Sequence, residues 1–395
     1  MKIKLSVVIS FIASVLVFFI IVSFQMSAAQ TVDVDDKVAK QDLYPVARPI
    51  MLAPLGPPPV PADNPQTAEK IDLGRILFFD PRLSGNATMS CATCHLPQMG
   101  WGFSDTLSLG YPGTVHWRNS QTIINSAYYK KLFWDGASLS LEKQAPAAAK
   151  GAVAGNGESD MMEARLAFVP EYRKRFQEVF GDNWPKIGNA WNAIAAFERT
   201  LVQRDTPFDL FMGGDDAALT HQQQRGLELF SSKAGCISCH NGPLLSDEQY
   251  YNLGVPSAWL WEEDGMAQIT FRYELLAKGV TEALYRKAKD DPGLYFITKQ
   301  KRDLGKFRTP SLRYTKYTAP YMHNGAFSTL EEVINFYNAG GESNEYSANK
   351  SSLVKPLNLT PREKEDLKAF LLSLSGEQIT VEEPDFYPML SLPQP

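Results

Sequence analysis

Cysteine and histidine are scarce in this chain: its 395 residues include four of the first and five of the second. Four cysteines are too few for a disulfide-rich scaffold. A basic excess is also lacking, since 39 Lys and Arg stand against 44 Asp and Glu, a net charge of −5. Phosphate backbones are normally met by a basic surplus or patch, so nucleic acid is excluded as the main partner. Runs of alternating apolar and polar residues long enough for a sheet are scarce as well. The chain reads as mostly helical. Its 44% hydrophobic and 21% charged residues suit a globular protein of two to three domains.

Residues 1–29 read as a targeting segment. Lys2 and Lys4 precede an apolar run from Leu5 to Phe24, and Ser27-Ala28-Ala29 supply small residues for cleavage. The segment is a signal peptide or, uncleaved, a membrane anchor. Both leave the rest of the chain outside the cytoplasm, so a periplasmic location is expected. Residues 30–65 form a Pro-rich arm, with eight prolines between Tyr44 and Pro65, which favour extended backbone. Thr67 to Phe79 reads as a helix stopped by Asp80-Pro81. Ala190, Ile194, Phe197 and Leu201 mark a helix with one buried face, and a domain boundary is placed near 205–218. Thr220 can cap a helix running to Phe230. Thr360-Pro361-Arg362-Glu363 is a capping box with proline at the first helical position, ahead of a helix that buries Leu367, Phe370, Leu371 and Leu374.

All four cysteines fall in one repeated pattern, Cys91-Ala92-Thr93-Cys94-His95 and Cys236-Ile237-Ser238-Cys239-His240. Each follows a helix that ends in an aromatic residue, so two related domains in tandem explain the repeat. The spacing lets two thiols add to the vinyl groups of one haem while the adjacent imidazole turns onto the iron. A thioredoxin-type pair would not need the histidine. The two Cys pairs of a zinc site usually lie closer in sequence, and structural disulfides give no reason for a histidine after both pairs. Two covalent haem c groups are expected.

Phe307-Arg308-Thr309-Pro310-Ser311-Leu312-Arg313 and Thr318-Ala319-Pro320-Tyr321-Met322-His323-Asn324-Gly325 resemble the bacterial dihaem cytochrome c peroxidases and their MauG relatives. Arg118-Asn119-Ser120, Phe133-Trp134-Asp135-Gly136, Leu141-Glu142-Lys143-Gln144-Ala145 and Phe197-Glu198-Arg199-Thr200-Leu201 support the resemblance, which spans roughly residues 67–375. It implies two cytochrome-c-like domains. The first, 66–210, would carry the peroxide-reacting haem on Cys91, Cys94 and His95. The second, 215–375, would carry the electron-transfer haem on Cys236, Cys239 and His240. The tail, 376–395, is expected to pack back on the first domain. Trp134 matches the tryptophan between the haems, Gln144 a residue that orients peroxide, and Arg308 a charged residue near the second haem. Asn119, through its side chain, and Thr318 and Pro320, through their carbonyls, match the ligands of a calcium ion, oxygen donors that suit a hard cation.

Departures from the family pattern narrow the expectation. Sixteen residues after His95, where many members carry a distal histidine, stands Tyr111, with His116 nearby but out of register. Fourteen residues after His323, where many members carry an axial methionine, stands Tyr337, as in the MauG branch; Met266 and Met322 rank below it. An oxygen donor there favours the higher oxidation states of the iron. The family's acid–base glutamate falls at Ala154, and Glu158, in the loop Gly155–Asp160, is the expected substitute, with Asp160 second. Such a group moves a proton between the two peroxide oxygens. His221 reads as a surface residue and His323 as a support near the second haem. The resemblance implies a dihaem peroxidase that reduces hydrogen peroxide. Its electrons would come from a small redox protein (a cytochrome c or a copper protein) or from Trp or Tyr side chains of a protein substrate. The alternative is a non-enzymatic dihaem electron carrier.

Overall fold

Two helix pairs organise the computed structural model, which describes residues 47–257 and 263–385. In the first pair Ala68–Phe79 packs against Ile187–Glu198. The Thr67 side chain accepts the Lys70 N–H, and the helix stops at Asp80, ahead of Pro81. In the second pair His221–Ser231 packs against Pro361–Ser373, and both helices open with capping boxes, on Thr220 and Thr360. Each pair crosses at a glycine. A Cβ on Gly74 would lie 1.9 Å from the Ala193 carbonyl oxygen, and one on Gly226 would lie 2.0 Å from that of Asp366. Both crossings therefore need a residue without a side chain. Each first helix is followed by one Cys-x-x-Cys-His motif, so the sequence repeat is also a structural one.

Each pair has its own core. Leu73, Leu77, Phe78, Trp101, Phe176, Ile194 and Phe197 form the first, and Leu227, Phe230, Leu367, Phe370, Leu371 and Leu374 the second. Burying an aliphatic or aromatic side chain of this size contributes about 1.5–3 kcal/mol. Phe78, Trp101 and Phe197 also meet at tilted centroid separations of 5.4–6.1 Å, which adds about 0.5–1.5 kcal/mol per pair. Phe208, inside the stretch 66–210 expected for the first domain, and Phe211 just after it belong to the second core.

Strands are short, as the lack of alternation implied: β1 (Leu109–Gly110) pairs antiparallel with β2 (Thr114–Val115), and β3 (Tyr250–Tyr251) with β4 (Phe307–Arg308). The arm is without helix where it is described, with turns at 50–51 and 62–63, and it is no free spacer. Leu52 bridges Gly242 and is buried in the second core, while the Leu55 N–H donates to Asp209. The described part of the tail, 376–385, packs back on the first half, as expected. The Trp101 indole donates to the Ile379 carbonyl at 2.9 Å, the Ile379 N–H donates to the Tyr314 hydroxyl at 2.7 Å, and Ile379 and Val381 lean on the first core. The targeting segment 1–29 lies outside the described residues. Among those described, no helix is long and apolar enough to cross a membrane.

A helix pair that the sequence reading left out, Gly265–Ala277 and Glu282–Lys287, precedes β4. Asp264 caps the longer helix by accepting from the Met266 and Ala267 N–H groups. That helix contacts β2 and so lies beside the first half of the molecule.

Candidate functional site

One cavity of about 1020 Å³ reaches both Cys-x-x-Cys-His motifs. Its walls include Cys91, Cys94 and His95 from the first half and Cys236, Cys239, His240 and Tyr337 from the second. Trp134, Gln144, Arg308, Asn119, Thr318 and Pro320 line it too. All the cysteines are free thiols. The cavity lies at the upper end of small-molecule sites, as a space for porphyrin-sized groups must.

The two imidazoles are held alike. His95 Nδ1 lies 3.2 Å from the Trp101 carbonyl oxygen, and His240 Nδ1 lies 3.1 Å from that of Leu245. A carbonyl only accepts, so each Nδ1 carries the proton and each Nε2 lone pair is left for a metal. Burial lowers the pKa of both rings, which keeps them neutral as ligands must be. Tyr337 sits in the last turn of Leu330–Ala339, a helix opened by the Thr329 capping box and closed by Gly340 in the left-handed region. Burial raises its phenol pKa, and Cys236 and Cys239 add to the shift.

Arg308 fits the same two groups from another side. It is 2% exposed and on the cavity wall, yet its partners are the Phe133 and Thr309 carbonyls, the Gln121 amide and the face of Tyr129 at 3.9 Å. None of these is charged. A buried guanidinium without an anion is costly, and haem carries carboxylates that would answer it.

Trp134 is fixed on three sides. Its indole donates to the Asn119 carbonyl at 2.9 Å, and its own carbonyl accepts the Arg308 N–H at 2.8 Å. The adjoining Asp135 is ion-paired to buried Arg118 at 2.9 Å, and Arg118 also holds Asp291. His323 meets the indole edge-on at 6.4 Å and stacks on Phe307 at 3.7 Å. Burial lowers His323 to about 4. The Asn119 amide donates to the Phe103 and Asp105 carbonyls at 3.2 and 2.8 Å, which leaves its oxygen as the free end. Asn119, Thr318 and Pro320 line the same cavity, and amide and carbonyl oxygens are the donors a hard cation takes. Among the described residues no cluster of His, Cys, Asp or Glu competes as a metal site.

Two expected site positions lie elsewhere. Glu158 is exposed, stands at the N-cap of Ser159–Ala167 and is not on the cavity wall, where Val153, Ala154 and Gly155 are instead. The loop turns back on Leu141–Lys150: the Gly155 and Gly157 N–H groups donate to the Ala148 and Ala149 carbonyls. Glu158 is thereby carried past the opening, and Asp160 is likewise exposed. Tyr111 is absent from the wall, whereas His116 lies on it, stacked on Trp117 at 3.8 Å with its Nδ1 accepting from the Arg118 N–H. His221 is exposed, as expected. Two carboxyls on the wall escaped the sequence reading, Glu198 and Glu274. Glu198 does carry a signal: it closes the apolar stretch Ala193-Ile194-Ala195-Ala196-Phe197, where a charge is out of place.

Comparison with known proteins points the same way. A family model described as "Di-haem cytochrome c peroxidase" matches residues 68–217. The cytochrome-c peroxidase IdrP1 of Pseudomonas sp. (strain SCT) is 57% identical over 326 residues, 82% of this chain and 85% of the relative. The methylamine utilization protein MauG of Methylorubrum extorquens is 34% identical over 325 residues, 82% of this chain and 83% of the relative. Among solved structures, a MauG-like protein associated with microbial copper homeostasis is 34% identical with a TM-score of 0.69, covering 84% of this chain and 95% of the other.

Proposed function

This chain belongs to the dihaem cytochrome c peroxidase family and is a peroxidase-type oxidoreductase with two c-type haems, and from that premise we propose how its residues divide the work. Cys91, Cys94 and His95 would hold the haem that meets hydrogen peroxide. Cys236, Cys239 and His240, together with Tyr337, would hold the one that handles electrons. Bound haem supplies one-electron redox chemistry and an iron position for peroxide. The observation that carries this reading is the one cavity shared by both motifs, with Trp134 and Tyr337 on its wall.

In this reading the protein groups bind, orient and relay. The Gln144 amide can both donate to and accept from peroxide and so fixes its orientation. Arg308 neutralises a haem carboxylate. Trp134, held by its hydrogen bonds on the wall of the cavity that both motifs share, would offer an indole whose oxidation links the two haems. Calcium at Asn119, Thr318 and Pro320 would brace the loop beneath that indole, because Trp134 hydrogen-bonds to Asn119 itself. Glu158 has no part in this scheme. The chain acts in the periplasm, delivered by residues 1–29.

Electrons come from a small redox protein, a cytochrome c or a copper protein. A second reading, in which they come from Trp or Tyr side chains of a protein substrate, is favoured by Tyr337, the residue type of the MauG branch. The test is peroxide addition without donor to wild type and Trp134→Phe. In the wild type the spectra of both haems should change together. In the variant the first should still react while the second lags. Unchanged coupling would reduce Trp134 to packing, and steady turnover with a reduced cytochrome c or copper protein selects the first reading over the second.

A further inference from the structure

The cavity wall near Cys91 holds a carboxyl that the scheme above leaves idle. Glu198, the last residue of Ile187–Glu198, is 4% exposed, and its Oε2 is buried without a hydrogen-bond partner. Its surroundings explain why no cation has settled on it. Arg199, next in the chain, gives its Nη2 to Glu142 Oε1 at 2.6 Å, and its Nη1 is itself without a partner. Glu142, on Leu141–Lys150, faces the same region with a negative charge. Lys70, on Ala68–Phe79, donates instead to Asn64 and the Pro65 carbonyl. From the haem-attachment turn the facing group is Cys91, on which the Glu198 charge acts.

Of the influences on this carboxyl, desolvation is the largest. It pushes the Glu198 carboxyl up to about 8, with Arg199 pulling it down and Glu142 adding to the rise. At neutral pH the group is a neutral acid, and it becomes a charge only on the alkaline side. A carboxylate formed in this low-dielectric wall would be felt strongly by any charge placed in the cavity.

We propose that Glu198 is a redox-linked proton site of the first haem compartment, a positioning residue that takes up a proton when that haem takes up an electron. The inference rests on the reading that Cys91, Cys94 and His95 hold a haem. The balance is simple: ferric haem, the Glu198 carboxylate, one electron and one proton from water give ferrous haem and the Glu198 acid. No other bond forms or breaks. The sign follows from charge. Ferric haem is the more positive state, so it stabilises the carboxylate and lowers its pKa relative to the ferrous state. Between the two values the potential falls as pH rises, up to a tenfold change in equilibrium constant per pH unit, or about 59 mV for one electron.

The experiment is redox titration of the holoprotein from pH 6 to 10, following the haem held by Cys91, Cys94 and His95, with wild type, Glu198→Gln and Glu198→Asp. Wild type should show the falling segment around pH 8. The Gln variant, equal in size but unable to ionise, should be flat there, and the Asp variant should restore the slope at a displaced pH. A slope that persists in Glu198→Gln, or a flat wild type, overturns the proposal. Should the Gln variant not fold, reduced-minus-oxidised infrared difference spectra of the wild type at pH 9 decide. A protonated-carboxyl band must appear on reduction and shift in heavy water, and its absence overturns the proposal. Loss of two-haem stoichiometry in the intact mass of the wild type would strike the functional reading instead.

Discussion

Asp209 is one carboxylate that joins three separated stretches of chain, and its removal has a calculable cost. Arg313 grips it with two bonds, at 2.7 and 2.8 Å, and the side chains are 0% and 3% exposed. Leu55 from the arm donates its N–H at 3.0 Å, and Thr206 donates its N–H at 3.1 Å and its hydroxyl at 2.7 Å. Asp209→Asn keeps the volume and deletes the charge, leaving the Arg313 cation in a dry wall. Breaking a buried pair from one side costs about 3–5 kcal/mol, a large share of the roughly 5–15 kcal/mol that holds a domain folded. Urea unfolding of the holoprotein, read by tryptophan fluorescence and by haem absorbance, should show that loss. Asp209→Asn combined with Arg313→Met should lose less than the sum of the two single changes. The pH dependence has a definite sign. Burial raises the Asp209 pKa, but the hydrogen bonds and charge of Arg313, with Thr206 and Leu55, outweigh it and hold the group below its ordinary value. Its stabilisation is therefore complete above the unfolded pKa of about 3.9 and disappears as pH falls through the lower folded value. The wild type should weaken in acid there, and the variant should follow a flatter curve. A single-variant loss under about 1 kcal/mol, the size of an exposed pair, would refute the reasoning.

Three further outcomes are expected. Cys91→Ala combined with Cys94→Ala, expressed in a host that matures c-type cytochromes, should lose one covalent haem by intact mass and pyridine haemochrome; retention of both would sink the attachment assignment. Tyr337→Phe should change the low-spin electron paramagnetic resonance signal of the second haem, and an unchanged signal would remove Tyr337 as its ligand. Chelation of calcium should slow the peroxide response of the second haem, and added Ca²⁺ should restore it where Mg²⁺, smaller and strictly octahedral, does not; a chelated protein that responds at the full rate would refute the calcium site.

Much of this molecule was legible because its local signals agree with its packing. Threonine before a helix, proline at its first position and aspartate-proline after its end are steric and hydrogen-bonding rules that act within a few residues. The helices 68–79, 221–231 and 361–373 accordingly stand where those residues say. The Cys-x-x-Cys-His motifs were readable for a similar reason, since one ligand's chemistry fixes the spacing. The glutamate was not. Counting residues leads to Glu158, but the backbone bonds from Gly155 and Gly157 set the path of that loop, and nothing in the local sequence announces them. The helix 265–277 escaped for a different reason. Ala267, Phe271 and Leu275 are buried while Met266, Ile269, Tyr273 and Leu276 are exposed, so apolar residues occupy both faces and no stripe emerges. Glu198 stands in the sequence as one residue of Phe197-Glu198-Arg199, and what sets it apart is its surroundings in space.

The contact between Ile379 and Trp101 also has a consequence in time. The Trp101 carbonyl holds His95, and the Trp101 indole is capped by the Ile379 carbonyl near the end of the chain. A chain made from its N-terminus presents the first motif long before Ile379 exists. The first pocket must therefore stay open on that side while the rest of the chain is made, and it closes only when the tail arrives. A product cut short upstream of Ile379 could still be loaded at Cys91 and Cys94, but it would leave the indole N–H without its partner and one side of its core bare. Only a chain that has reached Ile379 can cap the Trp101 indole and close that side of the first core.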